Sequence, residues 1–358
     1  MLSSAGFLKN QDFLYDTRKS SPEYLPEATI IVPVYNVAPY IEDCLNSVFS
    51  HKQSVDLEII IIDDGSKDDS SSMIWRILKR LNPDNTVFIA QGNRGLSSVR
   101  NYGVSIAAGR YIAFLDSDDL LSGGALRILL DFAIRESCDI VLGKSMVFDS
   151  KDLSVHPFYD ANIWDLLLCG SYSRVVSKFE DAKLFLLEPN VNYRLIRRDL
   201  FECPDLLFPE GRLYEDTPVH LMMLAISERT GLVNTPYYWY RVSRPGKITN
   251  QRSTSRFDAI EVVDEYLKIV PALYIPQYIG SSIACVLFRS IWWCGTMTLP
   301  EHRMQYMVQA CKVLRAHLPK EWAKHCLDNI RPEYERQIPA FHAFMDGDID
   351  KLIELSYE

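Results

Sequence analysis

The feature that most limits what this chain can become is an alternation between residues 28 and 144. Short apolar runs there take turns with segments of helical period. ATIIVPV (28–34), LEIIII (57–62), TVFIA (86–90), YIAFLD (111–116) and DIVLGK (139–144) are nearly continuous in apolar residues. That is the pattern of strands buried on both faces. Between them, helical spacing joins Ile41, Cys44, Leu45, Val48 and Phe49, then Ile74, Ile77, Leu78 and Leu81. It recurs in Leu96, Val99, Gly103 and Ile106, and across residues 124–137. The third of these helices is expected to stop near Gly109, since glycine is common just past a helix C-terminus. Such alternation implies an α/β fold with a doubly wound, mostly parallel sheet. In such sheets the ligand lies beyond the carboxyl ends of the strands.

The remainder of the chain is less regular. Residues 1–27 show no sustained periodicity and read as an arm ending in the punctuation of Pro22 and Pro26. Residues 145–250 are aromatic-rich and broken by Pro189, Pro204, Pro209 and Pro218, whereas residues 251–358 read as helices. A chain of 358 residues suits two domains or one large one, and 47% hydrophobic with 24% charged residues allows a sizeable core. Disorder is excluded as a description of the whole. With 47 acidic against 38 basic residues and a net charge of −9, nothing offers a grip on nucleic-acid phosphates, and no nucleic-acid partner is expected. Eight cysteines without a CxxC pair read as reduced thiols of a cytoplasmic protein. Residues 1–20 lack the basic and apolar regions of a signal peptide. Residues 281–299 are mostly apolar, but Arg289 sits in their middle. A charge at the bilayer centre costs about 2.5–3.5 kcal/mol, which favours a buried helix or a subunit contact over a membrane span.

The strand ends carry the chemistry. Strands one, two and four are followed by Pro33-Val34-Tyr35-Asn36, Asp63-Asp64-Gly65-Ser66 and Asp116-Ser117-Asp118-Asp119. Carboxylates gathered at one edge repel each other, so the edge is expected to hold a divalent cation or a hydrogen-bonding ligand. Oxygen-only donors favour Mg2+ or Mn2+ over zinc, and such ions complete their shells with water and substrate phosphates. The edge therefore looks built for a diphosphate. No GxxxxGK[ST] is present, and no GxGxxG follows strand one, which removes the P-loop and dinucleotide-binding alternatives. The turn Gly92-Asn93-Arg94-Gly95 precedes a helix bearing Arg100 and Asn101, and its arginines are placed to face phosphate.

Together these segments resemble the family 2 glycosyltransferases with the GT-A fold. VPVYN (32–36), IIDDGS (61–66), NRGLSSVRNYG (93–103), GRYIAFLDSDD (109–119) and LYEDTPVHLMML (213–224) occur in that family's order, and YYWYRVSRPGKIT (237–249) resembles its closing loop. The resemblance implies a GT-A domain over 28–250, with a nucleotide-sugar half (28–144) and an acceptor half (145–250). The arm of 1–27 and the helical region of 251–358 lie outside it. By the same resemblance, Pro33, Val34, Tyr35, Asn36, Asp63 or Asp64, Gly95, Arg100, Asp116 and Ser117 should bind the donor nucleotide. Asp116-Ser117-Asp118 matches the family's DxD, with Asp118, assisted by Asp116, as ligand of Mn2+ or Mg2+. Asp119 either caps the next helix or touches the donor sugar. Asp216 is first choice for the base that takes the acceptor hydroxyl's proton, with Glu215 second. A capping role for this pair ahead of Thr217-Pro218 is the structural alternative. Arg241, Arg244 and Lys247 are assigned to the diphosphate or a lid, although Lys247 stands where the family commonly has Ser.

The implied function is a metal-dependent, inverting glycosyltransferase. It would move a hexose or N-acetylhexosamine from a UDP-sugar to a saccharide or lipid-linked glycan acceptor in cell-surface glycan synthesis. The expected location is cytoplasmic or at the inner membrane face, with the C-terminal helices serving homo-oligomer or peripheral membrane contact. Two other readings fit parts of the pattern. A non-catalytic nucleotide-sugar-binding scaffold would bind UDP without transfer. A nucleotidyltransferase would carry a Gly-rich basic loop where Tyr35-Asn36 stand.

Overall fold

The computed structural model describes residues 13–18, 24–244, 253–328 and 332–357. The chain divides into two compact units. One comprises Met1–Ser177, Asn190–Gly211 and Ser227–Arg244; the other comprises Lys178–Pro189, Arg212–Ile226 and Pro245–Glu358.

The first unit is a mixed sheet flanked by helices. In chain order it holds β1 (Phe13–Asp16), β2 (Ala28–Val34), α1 (Ile41–Phe49), β3 (Leu57–Asp63), α2 (Ser70–Leu81), β4 (Thr86–Ala90), α3 (Leu96–Ile106) and β5 (Tyr111–Phe114). Then come β6 (Leu120–Leu121), α4 (Ala125–Arg135), β7 (Ile140–Asp149), β8 (Val155–Pro157), α5 (Ala161–Leu168), β9 (Ser173–Ser177), β10 (Arg194–Arg197) and β11 (Arg229–Val242). The strand order is β1-β4-β3-β2-β5-β10-β7-β11-β6, with β8 paired to β7 and β9 to β11. Every residue of β2 and β3 is buried, as their unbroken apolar runs require.

β2, β3, β4 and β5 form the parallel centre. The chain steps outward from β2 to β3 and β4, then returns to β5 on the other side of β2. The direction of winding therefore reverses between β2 and β5, which opens a crevice at their carboxyl ends. The β2–β5 ladder stops at Ile31↔Phe114, whereas β2 stays paired with β3 to Val34↔Asp63. Leu115 N–H donates to Ile31 O and Asp64 N–H to Val34 O. By the two-residue alternation of a strand, Pro33 faces the β5 side beyond the last rung. Its missing N–H breaks no ladder bond there.

Three expectations change. The segment 145–250 is not irregular throughout, because it supplies β8, β9, β10 and the fourteen-residue β11. β10 inserts antiparallel between β5 and β7, so β7 is not β5's neighbour. Pro236 interrupts the strand pattern of β11 in the sequence, and the structure absorbs it in register shifts between Val233 and Tyr238. The arm likewise contributes β1, an antiparallel edge strand on β4. Gly109 also has a different purpose. α3 ends at Ile106 with an extended residue after it, so no glycine cap is needed. A Cβ on Gly109 would lie 2.5 Å from the backbone of Ala28 and Thr29, so close chain approach requires the glycine.

The second unit is helical: α6 (Asp216–Ile226), α7 (Asp258–Ile269), α8 (Gln277–Met297), α9 (Pro300–His317), α10 (Lys320–Asp328), α11 (Ile338–Asp346) and α12 (Ile349–Leu355). α8 contains the apolar stretch around Arg289. The charge is matched there: Arg289 pairs with Glu188 at 2.7 Å and donates to Tyr334 Oη at 3.2 Å. Phe288 stacks on Phe341 at 4.7 Å, and Trp292 meets Phe344 edge-on. Gly280 lets the Trp322 ring of α10 approach so closely that a Cβ would sit 2.1 Å from it. Among the described residues no helix is long and apolar enough to cross a membrane. All eight cysteines are free thiols.

Candidate active site

The crevice edge begins where β2 ends. Val34 is buried, Tyr35 is about half exposed, and Asn36 adopts φ 53°, turning the chain. Asn36 N–H donates to Ser66 Oγ at 2.9 Å, and its side-chain oxygen accepts from Lys67 N–H at 2.7 Å. The β2 and β3 loops are thus laced together. Both carboxylates after β3 are buried and engaged. Asp63 accepts from Ser66 N–H, from Ser66 Oγ–H at 2.5 Å and from the Ser71 hydroxyl at the start of α2. Asp64 accepts from Gln91 Nε2 at 2.9 Å, Arg94 N–H at 2.8 Å and Gly95 N–H at 2.7 Å. Asp64 therefore shapes the Gly92–Gly95 turn from the end of the neighbouring strand. Gly65 must be glycine: its φ is 76°, and a Cβ would stand 2.9 Å from Asn93 N.

The acidic run after β5 lies on the same edge, and the chain supplies its own counter-charges. Asp116 Oδ1 pairs with Arg100 Nη2 at 2.9 Å. Arg100 is 1% exposed and its guanidinium lies over the Phe208 ring. Asp118 pairs with Arg244. Asp119 does not cap α4, nor is it open to a donor sugar. It is buried, with its carboxylate accepting from Arg241 N–H at 2.7 Å and from the Tyr238 hydroxyl. Arg241 donates through Nε to Asp118 O at 2.7 Å, and its guanidinium is held between the Tyr40 and Phe148 rings. Ser117 is buried within the turn. Burial, and then the neighbouring carboxylates, push the Asp119 carboxyl well above the ordinary range. Burial also raises Asp118, against the lowering pull of Arg244.

This donor set fits a hard divalent cation. Asp116 and Asp118 offer only carboxylate oxygens, and among the described residues no group of three His, Cys, Asp or Glu forms an all-protein cage. One or two carboxylates completed by water and substrate phosphates is the usual magnesium-type arrangement.

Two participants escaped the sequence reading. Asn192, wholly buried, donates from Nδ2 to Asp116 Oδ2 at 2.9 Å, and its Oδ1 accepts from Asp116 N–H. Tyr238 joins Asp119 to β11. Both come from the segment that looked irregular; Asn192 belongs to none of the motifs, and Tyr238 lies within YYWYRVSRPGKIT without having been singled out there. Lys247 lies outside the described residues.

Glu215 and Asp216 belong to the helical unit. Asp216 opens α6 and is half-buried, while Glu215 is buried. The turn before them is braced. Tyr214 takes φ 65°, its hydroxyl accepts from Arg256 Nη1 at 2.7 Å, and its ring meets Trp293 edge-on. Leu213 N–H donates to Asp258 Oδ2 at 2.9 Å.

Residues 29–202 match the family described as Glycosyl transferase family 2. The similarity to that family spans just under half of the chain. The chain is 34% identical over 235 residues to the uncharacterized glycosyltransferase EpsJ of Bacillus subtilis (strain 168), covering 63% of each chain. The minor teichoic acid biosynthesis protein GgaB of the same organism is 26% identical over 62% of this chain, which spans 24% of that protein. Among solved structures, S. aureus TarS 1-349 in complex with UDP-GlcNAc superposes with a TM-score of 0.73 at 19% identity, over 92% of this chain and 90% of that one. The likeness in structure covers the helical region as well as the GT-A sheet.

Proposed function

We propose that this chain is a family 2, inverting glycosyltransferase that takes a UDP-sugar as donor. The donor sugar is a hexose or N-acetylhexosamine, and the acceptor is a saccharide or lipid-linked glycan of the cell surface. The observation that carries the reading is the acidic turn Asp116–Asp119 at the winding reversal of the sheet, where carboxylates and arginines alternate in contact. A bound nucleoside diphosphate needs both at once. Support for UDP comes from the TarS neighbour, solved with UDP-GlcNAc. Support for a surface-glycan acceptor comes from the teichoic acid relative.

In this reading Pro33, Val34, Tyr35 and Asn36 bound the base pocket. Asp63 accepts the uracil N3–H, because two of its present donors are hydroxyls that can rotate away, whereas two of Asp64's are backbone amides. Asp118 with Asp116 would hold Mn2+ or Mg2+. That ion, when bound, would supply charge neutralisation of the diphosphate. Arg244, released from Asp118, turns to the leaving group, and Arg241 fixes the turn from β11. Asp216 accepts the proton of the acceptor hydroxyl as that oxygen attacks the anomeric carbon and UDP departs, with Glu215 as its neighbour. A positioned proton acceptor is worth roughly 10²–10⁴-fold. We assign this chemistry to residues 28–250 and acceptor or membrane-face contacts to 251–358, in a cytoplasmic protein.

The test is a calorimetric titration of UDP and GDP, with and without Mn2+, on the wild type and Asp118→Asn. Metal-dependent UDP binding that disappears in the variant is expected. Absence of nucleotide binding in the presence of metal would overturn the donor site.

A further inference from the structure

A cleft of about 630 Å3 in the helical unit is lined by Val308, Lys312 and Arg315 of α9, Lys320 at the start of α10, and Met345 and Ile349 beside the α11–α12 turn. Its walls carry three positive charges and no negative one. That composition stands out in a chain of net charge −9. Several basic side chains elsewhere have acidic partners: Arg80 with Glu42 at 3.0 Å, Arg127 with Asp131 at 2.7 Å and Lys268 with Asp264 at 2.7 Å. Among the described residues, Lys312, Arg315 and Lys320 have no ion-pair partner.

Arg315 is also not an unconstrained surface cation. Gly347, which ends α11, has φ 76°, and a Cβ placed on it would lie 2.2 Å from Arg315 Nη1. The tip of the Arg315 side chain therefore lies close against the Gly347 backbone. Lys312 and Arg315, three positions apart on one helix, project from the same face. Like charges around a concavity repel and raise its potential, which is relieved when an anion enters. A planar guanidinium flanked by two ammonium groups matches a tetrahedral oxyanion in geometry and charge. Val308, Met345 and Ile349 provide apolar wall for the carbon portion of an ester.

We propose that this cleft binds a phosphate-bearing ligand: a phosphodiester, carried either by a soluble polyol-phosphate chain or by a lipid headgroup. All of its residues lie in the helical unit, so the inference does not depend on the donor-site assignment.

The experiment uses the full chain with two probes, a soluble glycerol-phosphate oligomer and phosphatidylglycerol vesicles, with phosphatidylcholine vesicles as the neutral reference. The triple variant Lys312→Gln, Arg315→Gln, Lys320→Gln alters only exposed side chains. A control removes three exposed cations elsewhere, Lys79→Gln, Arg135→Gln and Lys151→Gln. Wild type is expected to bind at least one anionic probe, more weakly as salt is raised. The triple variant should lose on the order of 10–100-fold in affinity while the control stays within about twofold. Which probe binds identifies the source of the phosphate. Binding of neither probe, an unchanged triple variant, or an equal loss in the control overturns the proposal. UDP titrations on the same preparations keep the two readings separate: failure there removes the donor site and leaves the cleft result standing.

Discussion

Asn192 holds Asp116 by two bonds, its Nδ2 donating to Oδ2 at 2.9 Å and its Oδ1 accepting the backbone amide at 3.2 Å, across 76 residues of sequence. One buried amide thereby fixes both the main chain and the carboxylate of the first acidic residue after β5. Asn192→Ala leaves those groups without partners in a buried setting, a loss of about 1–3 kcal/mol. Asn192→Asp should do worse, since it faces one carboxylate with another. Urea unfolding midpoints, with UDP affinity measured beside them, check this. An unchanged midpoint in the alanine variant would show that the amide is not holding the turn.

Arg244 occupies the carboxylate proposed to hold the metal. Arg244→Gln should therefore strengthen Mn2+ binding to the nucleotide-free chain, on the order of tenfold, by removing a charged competitor. Electron paramagnetic resonance of free Mn2+ reads this directly. Weaker Mn2+ binding in the variant would mean that the guanidinium organises the site instead of blocking it.

Asp216→Asn should lower turnover by roughly 10²–10⁴-fold and leave UDP affinity nearly unchanged, because a base that meets only the acceptor does not hold the donor. Steady-state rates and UDP titration together decide it. Equal loss of both would remove Asp216 from the base role.

His51 is 1% exposed, and neither ring nitrogen has a partner among the described residues. Burial lowers its pKa to about 4. The folded chain therefore keeps the ring neutral while the unfolded chain protonates it below about pH 6.5. Stability contributed by the neutral ring is present above that value and is lost as pH falls toward 4. Between pH 7.5 and 5 the loss should be about 2 kcal/mol. His51→Leu should flatten this part of the profile in urea titrations at the two pH values. An equally steep fall in the variant would place the acid sensitivity elsewhere.

Gly109→Ala would drive a Cβ to 2.5 Å from the Ala28–Thr29 backbone at the start of the central strand. The expected cost is roughly 1–3 kcal/mol or more, since backbone yields less readily than a side chain. A thermal melt with an unshifted midpoint would contradict the close approach.

The sequence determined the strands β2 to β5, the helices between them and the edge that carries the candidate site. Runs such as LEIIII and the spacing of Ile74, Ile77 and Leu78 are local signals, set by which faces must leave water. The acidic turn was equally legible, because Asp116–Asp119 are contiguous. Tertiary structure alone decided what each of those carboxylates touches. Arg100, Asn192, Tyr238, Arg241 and Arg244 reach the turn from α3, the segment before β10, and β11 and its end. Their separations carry no period, since a buried charge or amide is satisfied by whichever distant donor the packing brings within about 3 Å. For the same reason Gly109 looked like a helix stop and proved to be a gap left for another chain segment. Propensity acts between near neighbours in sequence, whereas close packing acts between neighbours in space.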